Sequence, residues 1–532
     1  MTSDASGCRQ VVILAGGMGT RLAAATGGLP KALVPVAGRP VLERQLVLAR
    51  DHGIARAMLL LGHGAERIIE WLETVGVDGI QIDWAVEQEP LGNGGALVQA
   101  IPSLETRFLV FFADQLMDFD VRRFLAHHAA RENDVTVVVH PNDHPHDSDL
   151  LEVDEIGRVT ALHRPPHGAE RPLRNVVNAA TYVLERRSLE TVSADVPRRV
   201  DLARDLLPRM IASGIRVGAY RSREYLKDMG TPERLAKVER DLEAGVVARR
   251  LAAHKMPAIL LDRDGTMNVE VGRITRPSDL TLIPGIGDAI NRAHAAGYLV
   301  GVVTNQPVVA RGDVTMAELD AIHGRMEMLL AESRAFVDGI YVCPHHPDRG
   351  FPGEVAALKG PCGCRKPATG LVDQAVADLD LDASRSWLIG DTTSDVECAR
   401  AAGLLPVLVG TGHAGADARF PVEAALRFAG AAEAIDFIVG DFPGLWDRCT
   451  AVAAAAASCE RIVVRAGASD RADNVARLVA VATRRHGREA ILRLGGGKPV
   501  GSEGPGVEIV AEVDATIGPC DVHITPRSAS SS

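Results

Sequence analysis

The chain has 532 residues, of which 46% are hydrophobic and 24% charged, which excludes collagen-like, coiled-coil and wholly disordered classes. At about 150 residues per domain, this length predicts roughly three or four domains. The formal charge of −11 rules out general electrostatic attraction to nucleic acid or to an anionic membrane, while leaving local phosphate-binding sites open.

No run approaches the ~18 apolar residues a membrane span needs, and the N-terminal MTSDASGCRQ lacks the charged and apolar regions of a signal peptide. The expectation is a cytoplasmic protein with neither nucleic acid nor membrane as partner. Eight cysteines are too sparse for a disulfide scaffold, and three of them, Cys343, Cys362 and Cys364, gather beside histidines.

From Val11 to Glu243, apolar β-rich runs such as VVILAGG (11–17), AMLLLGH (57–63) and FLVFFAD (108–114) alternate with helical stretches such as VLERQLVLARDHG (41–53). That alternation predicts an α/β sheet. The segment LAGGMGTRL (14–22) follows the first apolar strand. Its glycines Gly16, Gly17 and Gly19 allow backbone N–H groups to approach a phosphate or a base without interference from Cβ. Arg21 and Lys31 add positive charge beside that cradle. The spacing matches neither the dinucleotide fingerprint nor the P-loop, so another phosphate-binding scheme is required.

LAGGMGTRL followed by GLPKALVPVAGRP (28–40) resembles the signature of sugar-1-phosphate nucleotidyltransferases. The likeness continues through EQEPLGNGGAL (87–97), FFADQLMDFD (111–120) and YLKDMGTPE (225–233). It implies a Rossmann-like sheet domain in which a sugar phosphate attacks the α-phosphate of a nucleoside triphosphate, with Mg²⁺ and cations absorbing the growing charge. By the resemblance, Asp114 and Asp228 hold Mg²⁺, Arg21 contacts the triphosphate, and Lys31 the reacting phosphates. Ala15, Gly16, Gly17 and Gly19 lie against the nucleotide, Gly94 and Gly95 near base and sugar, and Asn178 at the sugar. Phe112-Ala113-Asp114 stands where the pattern reads Asn-Gly-Asp, and His163-Arg164-Pro165 where it reads Glu-Lys-Pro. Ala180 replaces the glycine of an Asn-Ala-Gly. Residues 14–22 leave guanine, adenine, uracil and thymine all open.

KVERDLEAGVVARRLAAHK (237–255) predicts a helix and a connector, which sets domain limits at 1–245 and 257–415 with a linker at 246–256. The second α/β run begins with PAILLDRDG (257–265), where Asp262 and Asp264 stand at i and i+2 after a buried strand. One suits a nucleophile and the other an acid/base across a phosphate. With VVTNQ (302–306), CRKP (364–367) and LIGDTTSD (388–395), these residues resemble the haloacid dehalogenase superfamily of aspartate-nucleophile phosphatases. That likeness implies attack by Asp262, proton transfer by Asp264, and phosphoryl binding by Thr304 and Lys366. It also implies Mg²⁺ held by Asp262, the Asp264 carbonyl and Asp391. Asp395 reads either as a metal-shell residue or as a helix cap.

Cys343, His345, Cys362 and Cys364 form C-x-H…C-x-C, a complete tetrahedral donor set for structural Zn²⁺, with His346 as the alternative imidazole. This knuckle, with DRDGTMNVEVG (262–272) and TNQPVVARG (304–312), resembles the D-glycero-D-manno-heptose 1,7-bisphosphate 7-phosphatase family. Histidinol-phosphate phosphatases share its subfamily and are the alternative. The resemblance implies that Arg365 reads the distal phosphate, while Glu270 to Arg273 and Thr304 to Pro307, with Asn305 and Gln306 between them, border the substrate. Pro307-Val308 replaces the usual Ser-Gly.

A 7-phosphatase would release a heptose 1-phosphate, the substrate type a sugar-1-phosphate nucleotidyltransferase consumes. The two resemblances together imply a bifunctional enzyme of sugar-nucleotide synthesis, with GTP favoured and a homo-oligomer left open. The other class of reading is a degenerate binding or regulatory module. Residues 425–532 carry the strand-turn-helix outline RIVVRAGASDRADNVARLVAVA (461–482) and Lys498 followed by Pro499, not Ser/Thr. They predict a small α/β segment, read as a packing domain or a degenerate kinase-like appendage.

Overall fold

The computed structural model describes residues 7–17, 26–167, 172–194, 196–421 and 426–442, and the backbone of four strands beyond them. The chain divides into two units, Met1–Lys255 and Met256–Ser532.

The first unit is built on a nine-stranded mixed sheet. Its central strand, Gln10–Ala15, runs parallel to Arg56–Leu61 on one side and Arg107–Phe112 on the other. Gln81–Val86 extends the parallel part to the edge, while Val177–Glu185 joins Arg107–Phe112 antiparallel. All six residues of the central strand are buried, as a strand covered on both faces requires. Val11 and Ile13 enter one core with Leu59 and Phe111, and Val12 and Leu14 enter the other with Leu60 and Val110. Helix Val41–Asp51 covers the first face with Leu42, Leu46 and Ala49, each residue of this kind contributing about 1.5–3 kcal/mol when fully buried if large. A separate ribbon pairs Gln115–Asp118 with Tyr225–Asp228.

The stretch 246–256, expected as a linker, is packed onto this unit through residue 254. Val246–Arg249 is helical, and the buried Arg223 donates to the carbonyls of Arg250 (2.8 Å), Leu251 (3.4 Å) and His254 (2.7 Å). Glu224 accepts from the Ala252 N–H at 2.8 Å.

The second unit carries a six-stranded parallel sheet. The strands lie in the order Gly339–Cys343, Leu299–Asn305, Ala258–Leu261, Trp387–Gly390, Leu405–Val409, Leu426–Phe428. Ile259 and Leu261 face one core, Ala258 and Leu260 the other. The sheet continues beyond residue 415, where the sequence reading ended it: Leu426–Phe428 pairs with Leu405–Val409. Helical residues that follow bring Ile435, Ile438 and Phe442 into the same core, Phe442 edge-on to Trp387 with ring centroids 4.5 Å apart. A three-residue edge strand is too short to show an apolar period.

Four strands form a further sheet in the order Glu489–Arg493, Arg461–Ala466, Glu508–Asp514, Asp521–Arg527, with the last antiparallel. The strand expected at 461–467 is present, whereas the helix expected after it and Lys498 lie outside the described residues. Among the described residues, no helix is long and apolar enough to cross a membrane.

Candidate active sites

In the first unit, the central strand ends at Ala15 and passes the chain to Gly16 and Gly17 at the carboxyl edge of the parallel strands, where clefts of α/β sheets form. A cavity of about 520 Å³ opens there. Its wall includes Ala15, Gly16, Gly17, Lys31, His63, Glu87, Asn93, Asp114 and Arg199. Gly62 must be glycine, because a Cβ on it would lie 2.9 Å from the Cα and the carbonyl oxygen of Gly16. The neighbouring strand ends thus touch backbone to backbone.

Lys31 Nζ donates to Asp114 Oδ2 at 2.7 Å inside this cavity. Ribbon register sets Asp228 opposite Gln115, and the Met229 N–H donates to the Asp114 carbonyl at 2.8 Å, but Asp228, unlike Asp114, is not among the residues that line the cavity. The Asp228 carboxylate is held by Arg234. Of the residues expected here, Ala15, Gly16, Gly17, Lys31 and Asp114 share the cavity, while Gly19 and Arg21 lie outside the described residues.

Gly94 and Gly95 are placed differently from expectation. Both are buried in helix Gly92–Gln99, and their N–H groups go to the Val200 carbonyl at 3.0 and 3.2 Å. A Cβ on Gly94 would lie 2.9 Å from the backbone of Asp201, and one on Gly95 2.7 Å from the Arg198 oxygen. These glycines let the helix pack on the segment 198–202; from this stretch it is Gly92 and Asn93 that line the cavity. Asn178 also turns inward, its Nδ2 donating to the Tyr182 hydroxyl at 2.8 Å and its Oδ1 accepting from the Ala180 N–H at 2.9 Å. His63 and Arg199 escaped the sequence reading, although the position of His63 just past an apolar strand was an available signal.

In the second unit, three adjacent parallel strands deliver Asp262, Thr304 and Asp391 to one edge. Lys366 is 4% exposed, and its Nζ lies 2.9 Å from Asp262 Oδ1, 2.6 Å from Asp395 Oδ1 and 2.7 Å from the Val303 carbonyl. Burial alone would lower the ammonium, but the two carboxylates raise it above its ordinary value. Asp262, Asp391 and Asp395 each offer an oxygen within 4.8 Å of the others. Burial pushes the carboxyls of Asp262 and Asp391 up to about 7, and like charge within the cluster adds to that rise. Asp391 Oδ1 is buried without a hydrogen-bond partner, while its Oδ2 accepts from the His413 N–H at 2.7 Å. Gly265 and Gly412 crowd Asp391 so closely that a Cβ on either would overlap its carboxylate. Three clustered carboxylates, one with an orphaned buried oxygen, suit a hard divalent cation. Asp395 is the cap of its own helix through Thr392, and its other oxygen pairs with Lys366 inside the carboxylate cluster.

Asp264 is held by four donors. Arg263 Nε (3.0 Å) and Asn268 Nδ2 (3.0 Å) reach Oδ1, and Arg263 Nη2 (2.8 Å) and Gln306 Nε2 (2.8 Å) reach Oδ2. Burial works to raise this carboxyl, but Arg263 and the other donors outweigh it and hold it below its ordinary value. Arg263 itself is 1% exposed, with Nη1 3.2 Å from Nε2 of the buried His323. Asn305 and Gln306, expected at the substrate, spend their side chains on the protein. Gln306 binds Asp264, Arg263 and the Thr304 hydroxyl, and Asn305 binds the Lys366 backbone. Arg263 was visible between the two aspartates, whereas nothing in the sequence marked His323.

The Cys/His donor set assembles. Cys343, Cys362 and Cys364 sulfurs are separated by 3.7, 3.5 and 3.2 Å, and His345 Nδ1 lies 3.3 Å from Cys364 and 3.7 Å from Cys343. Metal–sulfur bonds of ~2.3 Å in a tetrahedron give edges of ~3.8 Å, close to these spacings. His346 faces away, with Nδ1 accepting from the Asp348 N–H at 3.0 Å and Nε2 3.1 Å from Arg311. Arg365 donates to the His345 carbonyl at 3.3 Å, which ties it to the knuckle. Pro307 starts the short helix Pro307–Ala310, where its missing N–H costs no helical bond.

Residues 10–245 match the nucleotidyl transferase family and residues 363–441 the HAD-hydrolase-like family. A D-glycero-D-manno-heptose-1,7-bisphosphate 7-phosphatase of Thermosynechococcus vestitus is 43% identical over 157 residues, 29% of this chain and 80% of that protein. The D-glycero-beta-D-manno-heptose-1,7-bisphosphate 7-phosphatase of Yersinia pestis is 40% identical over 158 residues, 30% of this chain and 82% of that protein. Among solved structures, HddC from Yersinia pseudotuberculosis is 28% identical, covering 44% of this chain and 99% of that one, with a TM-score of 0.39. The chain is a fused enzyme that joins a nucleotidyltransferase domain to a haloacid-dehalogenase-type phosphatase domain. Through the second of these it belongs to the D-glycero-D-manno-heptose-1,7-bisphosphate 7-phosphatase family.

Proposed function

We propose that the second unit hydrolyses the 7-phosphate of D-glycero-D-manno-heptose 1,7-bisphosphate, and that the first joins the resulting heptose 1-phosphate to a nucleotidyl group, GTP favoured. The observation that carries this reading is the buried Asp262–Lys366–Asp395 arrangement beside Asp391, one loop away from the Cys/His knuckle. It stands in the same chain as the Lys31–Asp114 cavity.

In the phosphatase step, an Asp262 oxygen attacks phosphorus in line, the bond from phosphorus to the sugar oxygen breaks, and an aspartyl-phosphate forms. Asp264 supplies the proton to the departing oxygen and afterwards takes one from the water that attacks the aspartyl-phosphate. Its four donors favour the ionised form, so protonating the leaving group requires Asp264 to exchange at least one of these bonds for a proton. Lys366 and the Thr304 hydroxyl face the phosphoryl oxygens. Mg²⁺, held by Asp262, the Asp264 carbonyl and Asp391, would screen the anionic nucleophile from the anionic substrate. Cys343, His345, Cys362 and Cys364 would hold Zn²⁺ as a structural clip that positions Arg365 for the distal phosphate.

In the nucleotidyl step, an oxygen of the sugar 1-phosphate attacks the α-phosphorus, the α–β bridging bond breaks, and pyrophosphate leaves. Lys31 and Arg21 offset the charge on the reacting phosphates, with Asp114 and Asp228 as the carboxylates for Mg²⁺.

The test is a single reaction of zinc-replete protein, Mg²⁺ and the heptose bisphosphate, with each triphosphate added in turn. Phosphate release followed by pyrophosphate and a sugar nucleotide is the expected result. Phosphate without any sugar nucleotide would sink the coupling, and no phosphate would sink the phosphatase assignment.

A further inference from the structure

Arg263 stands between the two aspartates of the phosphatase site and serves both. Its backbone N–H donates to Asp262 Oδ1 at 2.7 Å, while its guanidinium grips both oxygens of Asp264 through Nε and Nη2. Nη2 also donates to Gln306 Oε1 at 2.9 Å. That leaves Nη1, which lies 3.2 Å from His323 Nε2. An arginine only donates, so His323 offers a lone pair at Nε2 and carries its proton on Nδ1.

This acceptor is mounted on rigid structure. His323 is fully buried on helix Met316–Glu332, whose Ile322, Met326 and Leu330 share one core with Ile259 and Leu261 of the strand that delivers Asp262. The buried guanidinium is thus pinned at its far corner to that helix, and its plane is set by Gln306 and His323 as well as by Asp264. Neutrality of the acceptor matters. A carboxylate at this position would compete with Asp264 for the same charge, whereas a neutral imidazole satisfies the buried N–H and leaves the charge to Asp264.

Asp264 has to be aimed as well as bound. In the first step the Asp262–phosphorus bond forms, the bond from phosphorus to the sugar oxygen breaks, and the proton on Asp264 moves to that oxygen, a transfer that tolerates little misplacement. We infer that His323 is a positioning residue for this transfer, fixing the direction of the Asp264 carboxyl through Arg263. The role rests on the phosphatase reading, and it predicts a dependence on the leaving group that a merely structural histidine would not produce. A sugar alkoxide needs a proton to leave, whereas p-nitrophenolate leaves without one.

The test follows single turnovers of full-length, zinc-replete protein with Mg²⁺, in saturating excess over heptose 1,7-bisphosphate or p-nitrophenyl phosphate. Release of the leaving group is timed, which isolates the first step. His323→Leu should slow release from the bisphosphate about 10- to 100-fold and release of p-nitrophenolate less than about threefold. His323→Gln, which keeps a neutral acceptor, should bring the bisphosphate rate to within about threefold of wild type. With enzyme in saturating excess, the rate constant is insensitive to the fraction of folded protein. Should His323→Leu not fold, Arg263→Lys, which keeps the charge and loses the fork, must show the same dependence on leaving group. A loss on p-nitrophenyl phosphate as large as that on the bisphosphate, or no loss on either, would overturn the role of His323 while leaving the phosphatase in place. A wild type that releases nothing from the bisphosphate would overturn the phosphatase reading and the role with it.

Discussion

Asn305 grips the peptide of Lys366 from both sides, its Oδ1 accepting from the Lys366 N–H at 3.0 Å and its Nδ2 donating to the Lys366 carbonyl at 3.2 Å. Lys366, the lysine proposed to bind the phosphoryl group, is therefore positioned through its main chain as well as by the carboxylates at its tip. Asn305→Ala removes the grip and leaves the ammonium in place. The expected outcome is a kcat about 10- to 100-fold lower in the phosphatase assay with KM changed less than about threefold, since small misplacements of a reacting group reduce rate more than binding.

The two chemistries should separate by single substitutions. Asp262→Asn is expected to lower phosphate release by at least ~10³-fold while leaving pyrophosphate release from added heptose 1-phosphate intact. Asp114→Asn should do the reverse. Both rates, measured on the same two proteins, decide the matter.

Removal of zinc should act on one half only. Cys364 contacts every other member of the donor set, so Cys364→Ser is expected to leave the knuckle short of a ligand and abolish stoichiometric zinc, read by metal analysis. Phosphatase KM should rise as Arg365 loses its support at the His345 carbonyl, with nucleotidyl transfer unaffected.

Gly94→Ala tests whether the glycine serves packing. The added methyl meets the backbone of Asp201 and Leu202 at 2.9 Å, and overpacking of this kind costs about 1–3 kcal/mol. A lower thermal midpoint of the first unit is expected; an unchanged midpoint with a higher KM for the triphosphate would restore Gly94 to the ligand.

His128 is fully buried between Thr136 and Glu185. Burial lowers its imidazole below the ordinary value, although the Glu185 bond opposes that shift. In the unfolded chain it takes a proton near pH 6.5, whereas the native site resists doing so. The unfolded state then binds more protons, so stability should be full above about pH 6.5 and decline as the pH falls below it. The drop in thermal midpoint between pH 7.5 and 5.5 should be shallower in His128→Asn than in the wild type.

Chemistry tied to strand ends was the most legible part of the sequence. Asp262, Thr304 and Asp391 each follow an apolar run, and a parallel sheet brings such positions together at one edge. The Cys/His knuckle was legible because its donor set is complete within 22 consecutive residues, Cys343 to Cys364. Gly94 and Gly95 misled because close helix packing and close ligand approach both demand glycine, and one sequence cannot separate the demands. Asn305 and Gln306 misled similarly: a polar side chain beside a catalytic residue can face the substrate or brace its neighbour. His323 left no trace, since a single histidine on helix Met316–Glu332 has no period or motif.

The folded tail of the first unit sets where that unit can be cut. Arg223 is 6% exposed and draws on three carbonyls, the last of them at His254. A stand-alone first half that stops at residue 245 would take three carbonyls from Arg223 and the Ala252 N–H from Glu224, which keeps its bonds to the Asp120 N–H and the Ser222 hydroxyl, at a cost of about 0.5–1.5 kcal/mol for each hydrogen bond lost. A half that ends after His254 keeps them all, so trimming by nine residues decides whether the isolated transferase is a sound protein or a damaged one.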